Sequence, residues 1–97
     1  MNIDTKSVHF DLTDEAKEYL ETKALNKTGF ASDLIVDLLF TLTKEKNEYK
    51  IEVNINFKRN NSHHISVQKF DMYEGIDILM DKIEKKVRRE KEKIKDH

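Results

Sequence analysis

Tyr49-Lys50-Ile51-Glu52-Val53-Asn54-Ile55-Asn56-Phe57-Lys58 alternates apolar and polar side chains without exception. Successive residues of a strand point to opposite faces, so this stretch predicts a sheet with one dry face and one wet face. Downstream, Arg59-Asn60-Asn61-Ser62 is turn chemistry, and His63, Ile65 and Val67 carry the alternation into another strand. Upstream, beyond the polar turn Lys44-Glu45-Lys46-Asn47, Val36, Leu38, Phe40 and Leu42 alternate with Asp37, Leu39, Thr41 and Thr43. Ile3, Val8 and Phe10 mark a less regular first strand within residues 2–10. Its spacing slips after Thr5, which predicts a bulge or bend near Lys6-Ser7.

Two segments change period from two to about 3.6. Thr13-Asp14-Glu15 reads as a helix start, with Thr13 as cap and two acids in the first turn. Ala16, Tyr19, Leu20 and Ala24 form the apolar stripe that follows, and Gly29 suits a left-handed helix end. The second segment opens at Asp71, a capping carboxylate, and runs without glycine from Ile76 to Lys95. Met72, Ile76, Leu79, Ile83 and Val87 share one face of it. The predicted order is β-α-β-β-β-α, an α+β domain with a four-stranded sheet. Because the sheet has one apolar face, both helices must pack on that same side. The first strand, joined to the second through a helix, is expected to run parallel to it.

The chain has 97 residues, no cysteine and a formal charge of −1. That length supports one core, and the whole of residues 1–97 reads as a single domain, with residues 93–97 expected to fray. No apolar run approaches the roughly 20 residues of a membrane span, and no signal-peptide pattern opens the chain, so a cytoplasmic location is expected. The charge is unevenly spread. Residues 82–97 hold eight Lys/Arg and four Asp/Glu, a surplus of +4, which leaves −5 on residues 1–81. Such asymmetry points to a local surface for a polyanion, against the plain alternative of a solvated helix end.

Catalytic chemistry is sparse. There is no glycine-rich phosphate loop and no cysteine nucleophile, and the adjacent His63 and His64 point to opposite strand faces, where they cannot share a metal. Asp77 and Asp81, four apart on a helix, read as a solvated face rather than a catalytic pair, and Tyr19, Tyr49 and Tyr73 as core packing. No enzymatic activity, cofactor, metal or small-molecule substrate is expected. The cations are better organised. Lys82, Lys85, Lys86, Arg89 and Lys93 recur at helical spacing in one stripe, and Arg88, Lys91 and Lys95 form a second beside it. Lys23 and Lys27 of the first helix can face the same groove if the helices lie side by side. Convergent point charges suit a nucleic-acid backbone.

Asp71-Met72-Tyr73 followed by Gly75-Ile76-Asp77, Leu79, Asp81-Lys82-Ile83-Glu84 and a basic end resembles the ribosome hibernation-promoting factors, also described as ribosome-associated inhibitors or protein Y. Thr13 with Lys17-Glu18-Tyr19-Leu20-Glu21-Thr22-Lys23 is similar to that family's first helix, and Asn2-Ile3 to its first strand. The resemblance implies the same β-α-β-β-β-α fold, similar in appearance to double-stranded RNA-binding domains. It implies a protein that binds the small ribosomal subunit through ribosomal RNA, blocks the messenger and transfer RNA channel, and silences translation in idle cells. Family RNA-contacting cations fall by position on Lys23, Lys82, Lys85 and Arg89, with Lys86 adjacent. Asn26 stands where the family often has another cation, and Gln68-Lys69-Phe70 replaces residues that are commonly acidic. Long members add a dimerising domain; ending at His97, this chain resembles the short form or an N-terminal domain, expected to be monomeric off the ribosome.

The resulting RNA-binding set is Lys23, Lys27, Lys82, Lys85, Lys86, Arg88, Arg89 and Lys93. Two alternatives fit the residues: a free double-stranded RNA-binding domain, and a protein-interaction module docking an acidic partner through the basic helix.

Overall fold

The structure, a computed structural model, describes residues 1–95. Its elements are β1 (Asn2–Val8), α1 (Asp14–Thr28), a 3-10 turn (Gly29–Leu34), β2 (Ile35–Glu45), β3 (Glu48–Phe57), β4 (Ser62–Lys69) and α2 (Met72–Lys95). The sheet order is β1-β2-β3-β4, with β1 parallel to β2 and the two hairpin pairs antiparallel. Both helices cover one face. Ile51, Val53, Ile55 and Phe57 of β3 meet Leu20 and Ala24 of α1 and Ile76, Leu79, Met80, Ile83 and Val87 of α2 in one core. Each buried aliphatic side chain there contributes about 1.5–3 kcal/mol.

Both helix starts follow from their caps. Thr13 Oγ1 accepts from the Ala16 amide at 3.1 Å, and Asp71 Oδ1 accepts from the amides of Tyr73 and Glu74 at 3.0 and 3.3 Å. Gly75 permits a close approach. A Cβ at that position would run into Ile51 Cδ1, so the missing side chain lets the first turn of α2 lie against β3.

Four local expectations fail for identifiable reasons. β1 passes through Lys6-Ser7 in unbroken register, and the bend comes at His9, whose φ is 68°. The spacing slipped because β1 turns polar residues inward: Thr5 pairs with Phe40 and donates to Glu21 of α1 at 2.9 Å. The irregularity lies in β2, where Ile35 pairs with Phe57 and Asp37 with Asn56. Val36 is the extra residue, turned outward at 46% exposure while Ile35 takes the core position. Gly29 stays right-handed at φ −55° and leads into the 3-10 turn that carries Ala31 into the core. Tyr73 is 41% exposed, edge-on to Tyr19 at 5.0 Å, so it packs on the surface rather than in the core. At the other end of α2 the helix continues to Lys95; of the residues expected to fray, Asp96 and His97 lie outside the described residues.

Candidate nucleic-acid interface

α2 lies between α1 on one flank and β4 on the other, and its charges divide accordingly. Asp77, Asp81 and Glu84 face α1. Lys23 Nζ donates to Asp77 at 2.6 Å, the Tyr19 hydroxyl donates to the same oxygen, and Lys27 lies 3.4 Å from Asp81 and 3.8 Å from Glu84. Burial pushes the Asp77 carboxyl up, but the hydrogen bonds from Lys23 and Tyr19 outweigh it and hold its pKa below the usual value. The same bond to Asp77 raises the pKa of both Tyr19 and Lys23. Lys23 and Lys27 are therefore engaged in the seam between the helices. They do not join the cations of α2 in one groove.

Further along this flank Arg88 lies 3.4 Å from Glu84 and 4.9 Å from the centre of the Phe30 ring. Lys91 joins it there, 5.4 Å from the ring, and donates to the Phe30 carbonyl at 2.8 Å. Arg88 and Lys91 of the second stripe thus close onto the 3-10 turn.

The β4 flank is different. Lys82, Lys85, Lys86 and Arg89 line an open cleft of about 350 Å³, completed by His63 and Ile65 of β4. Among the described residues, Lys82, Lys85 and Arg89 form no ion pair, and Lys86 alone of the four is partnered, by Glu90 at 3.1 Å. Glu90 also takes Lys93 at 3.4 Å and the Asn61 side-chain amide at 3.4 Å. Burial raises the Glu90 pKa and these hydrogen bonds more than reverse it. Burial first, and then the charge of Lys86, lower the pKa of His63. His64 points to the open sheet face and meets Glu52 at 2.8 Å. Among the described residues no three His, Asp or Glu side chains cluster as a metal site, and no helix is long and apolar enough to cross a membrane.

Residues 3–95 match the family described as Sigma 54 modulation protein / S30EA ribosomal protein. The chain belongs to that family. This is the family of the hibernation-promoting factors that its motifs resemble. Among solved structures, a ribosomal subunit interface protein from Coxiella burnetii superposes with a TM-score of 0.85 at 21% identity, over 94% of this chain and 98% of that one. The Thermus thermophilus Protein Y N-terminal domain gives 0.73 at 17% identity, over 91% and 93%. These likenesses establish the α+β fold. Among curated proteins, no sequence matches.

Of the eight cations singled out in this S30EA-family chain, four converge on the cleft and four are placed elsewhere: Lys23 and Lys27 in the seam, Arg88 on Phe30, Lys93 on Glu90. Three contributors escaped the sequence reading. His63 has the inward parity of Ile65 and Val67, a signal that was present but points equally to core. Glu90 reads as an interruption of the basic stripe, yet it orients Lys86 beside the cleft. Phe30 sits outside every periodic segment, and only the fold brings it under Arg88.

Proposed function

We propose that this protein silences ribosomes by binding the small subunit through ribosomal RNA and occupying the channel used by messenger and transfer RNA. The observation that carries this reading is the β4-side cleft, where four cations converge and, among the described residues, three of them have no carboxylate partner. A phosphate entering it displaces no internal ion pair of Lys82, Lys85 or Arg89, so the full attraction and counterion release go to binding. The cleft is open and shallow, suited to a backbone rather than an enclosed substrate. Family membership supports the ribosome as the target, and the neighbouring structures supply the same fold. The mechanism is occupancy: the cations fix the domain, the body of the fold excludes competing RNAs, and no bond is made or broken. It operates in the cytoplasm of idle cells and needs no cofactor.

Cosedimentation with isolated small and large subunits, paired with translation in a cell extract, tests the reading. Binding to the small subunit with inhibition that excess messenger RNA relieves is the expected result. Equal affinity for a bare RNA duplex would instead identify a free double-stranded RNA binder. Association that survives ribonuclease would identify a protein partner.

A further inference from the structure

The α1-side end of α2 holds a second constellation that phosphate recognition in the cleft does not use. Phe30 is 36% exposed, and two cations of α2 lie against its ring. Arg88 lies over its face at 4.9 Å and Lys91 at 5.4 Å, while the Lys91 ammonium donates to the Phe30 carbonyl. Ring, backbone and both cations are thereby tied together before any ligand arrives. Phe30, Arg88, Lys91 and Glu92 surround an open pocket of about 240 Å³.

The chemistry of this pocket differs from that of the cleft. The cleft has cations and no six-membered aromatic ring; the pocket has a ring, a planar guanidinium and a carboxylate in its wall. Glu92 disfavours a phosphate inside the pocket, whereas a nucleobase is neutral and has an aromatic face. Unpaired bases stack on exposed rings and on arginine planes, with nearby cations holding the adjoining backbone. We propose that Phe30 and Arg88 form a stacking platform for one unpaired RNA base, with Lys91 beside it for the neighbouring phosphate. This inference rests on the RNA-binding reading and adds to it a single-stranded ligand at a separate place on the fold.

The probe is a single-stranded RNA octamer carrying one fluorescent adenine analogue whose emission is quenched by stacking, mixed with the full chain. Wild type is expected to quench it. Phe30→Leu, which keeps an apolar side chain at the turn, is expected to lose the quenching and about tenfold in affinity. Its slope of log affinity against log salt stays unchanged, since no phosphate contact is removed. Phe30→Trp restores both readouts. Thermal unfolding of each variant checks the fold. Quenching and affinity unaltered in Phe30→Leu would overturn the platform, as would a loss that Phe30→Trp fails to rescue. If wild type binds small subunits but not the octamer, the platform fails and the ribosome reading stands. If it binds neither, both fail.

Discussion

The two flanks of α2 are both rich in cations, yet they are in opposite electrostatic states. Toward α1, Lys23 and Lys27 are matched by Asp77, Asp81 and Glu84, and Arg88 and Lys91 are drawn onto Phe30. Toward β4, Lys82, Lys85 and Arg89 border a cleft, and the adjoining Glu90 is taken up by Lys86, Lys93 and Asn61. A cation already holding a carboxylate gains little by exchanging it for a phosphate. One facing open solvent gains the whole interaction. Counting basic residues therefore overstates the binding surface, and what each one already touches decides its worth.

The largest effect tests the floor under both flanks. Val53 is fully buried beneath the helices, and Val53→Asp places an unpaired charge there at a cost of several kcal/mol. Circular dichroism is expected to show an unfolded chain, while Asn54→Asp on the open face changes stability by no more than about 0.5 kcal/mol. Equal damage from both would refute a sheet with one covered face.

Next comes the contact that seats α2. Gly75→Ala gains about 1 kcal/mol of helix propensity but crowds Ile51, an overpacking that costs about 1–3 kcal/mol. A modest net loss in denaturant unfolding is expected, and adding Ile51→Val should recover it by removing the methyl that the new Cβ would meet. Failure of that rescue would mean that the glycine serves something other than close approach.

The seam is tested by Asp77→Asn, which releases Lys23. Both side chains are partly exposed, so screening limits the loss to about 0.5–1 kcal/mol. The Asp77 carboxyl is held below its usual pKa, so its contribution is complete above the ordinary aspartate range. It vanishes as pH falls through the lowered value, and the gap between variant and wild type should close in acid. RNA affinity should rise, because a cation has been freed. Unchanged affinity would show that Lys23 is out of reach of the RNA whatever its partner.

His63 provides the smallest and most diagnostic effect. Partial desolvation and then Lys86 lower its pKa, with Lys82, Lys85, Arg89, Glu90 and Lys93 of α2 and His64 of β4 around it. Protonation is thus disfavoured in the fold, and His63 subtracts stability as pH falls through the histidine range. A phosphate in the cleft reverses that field, so RNA affinity should rise over the same interval. His63→Gln is expected to flatten both trends. If only the stability trend flattens, the phosphate is not beside His63.

Much of this was legible in the residues. The strict alternation from Tyr49 to Phe57 dictated a one-sided sheet, and the spacing of Ile76, Leu79, Ile83 and Val87 placed α2 on it. Helical spacing fixes azimuth, which sets Lys82, Lys85 and Arg89 apart from Arg88 and Lys91, while Lys93, read into the first stripe, turns to Glu90 instead. What each stripe meets was not legible, since that depends on which neighbour lies alongside. The Asp77–Lys23 pair spans 54 residues, and neither side chain carries a sign of the other. In β2, Ile35 and Val36 are equally apolar, and parity alone could not say which one would bulge outward.

The most direct test compares salt dependence of small-subunit binding for two variants. Lys82→Ala/Lys85→Ala/Arg89→Ala removes three cations of the β4-side cleft, and Lys23→Ala/Lys27→Ala removes two that are already paired. Each lost phosphate contact lowers the slope of log affinity against log salt by about 0.7–0.9. The cleft variant should lose roughly 2–2.7 in slope, at about 0.7–0.9 for each of three contacts, and all stable binding at physiological salt, with circular dichroism unchanged. The seam variant should keep a slope within about 0.5 of wild type, less than one contact's worth. A larger loss from Lys23 and Lys27 than from the cleft would place the main phosphate contacts in the seam rather than the cleft and contradict the account.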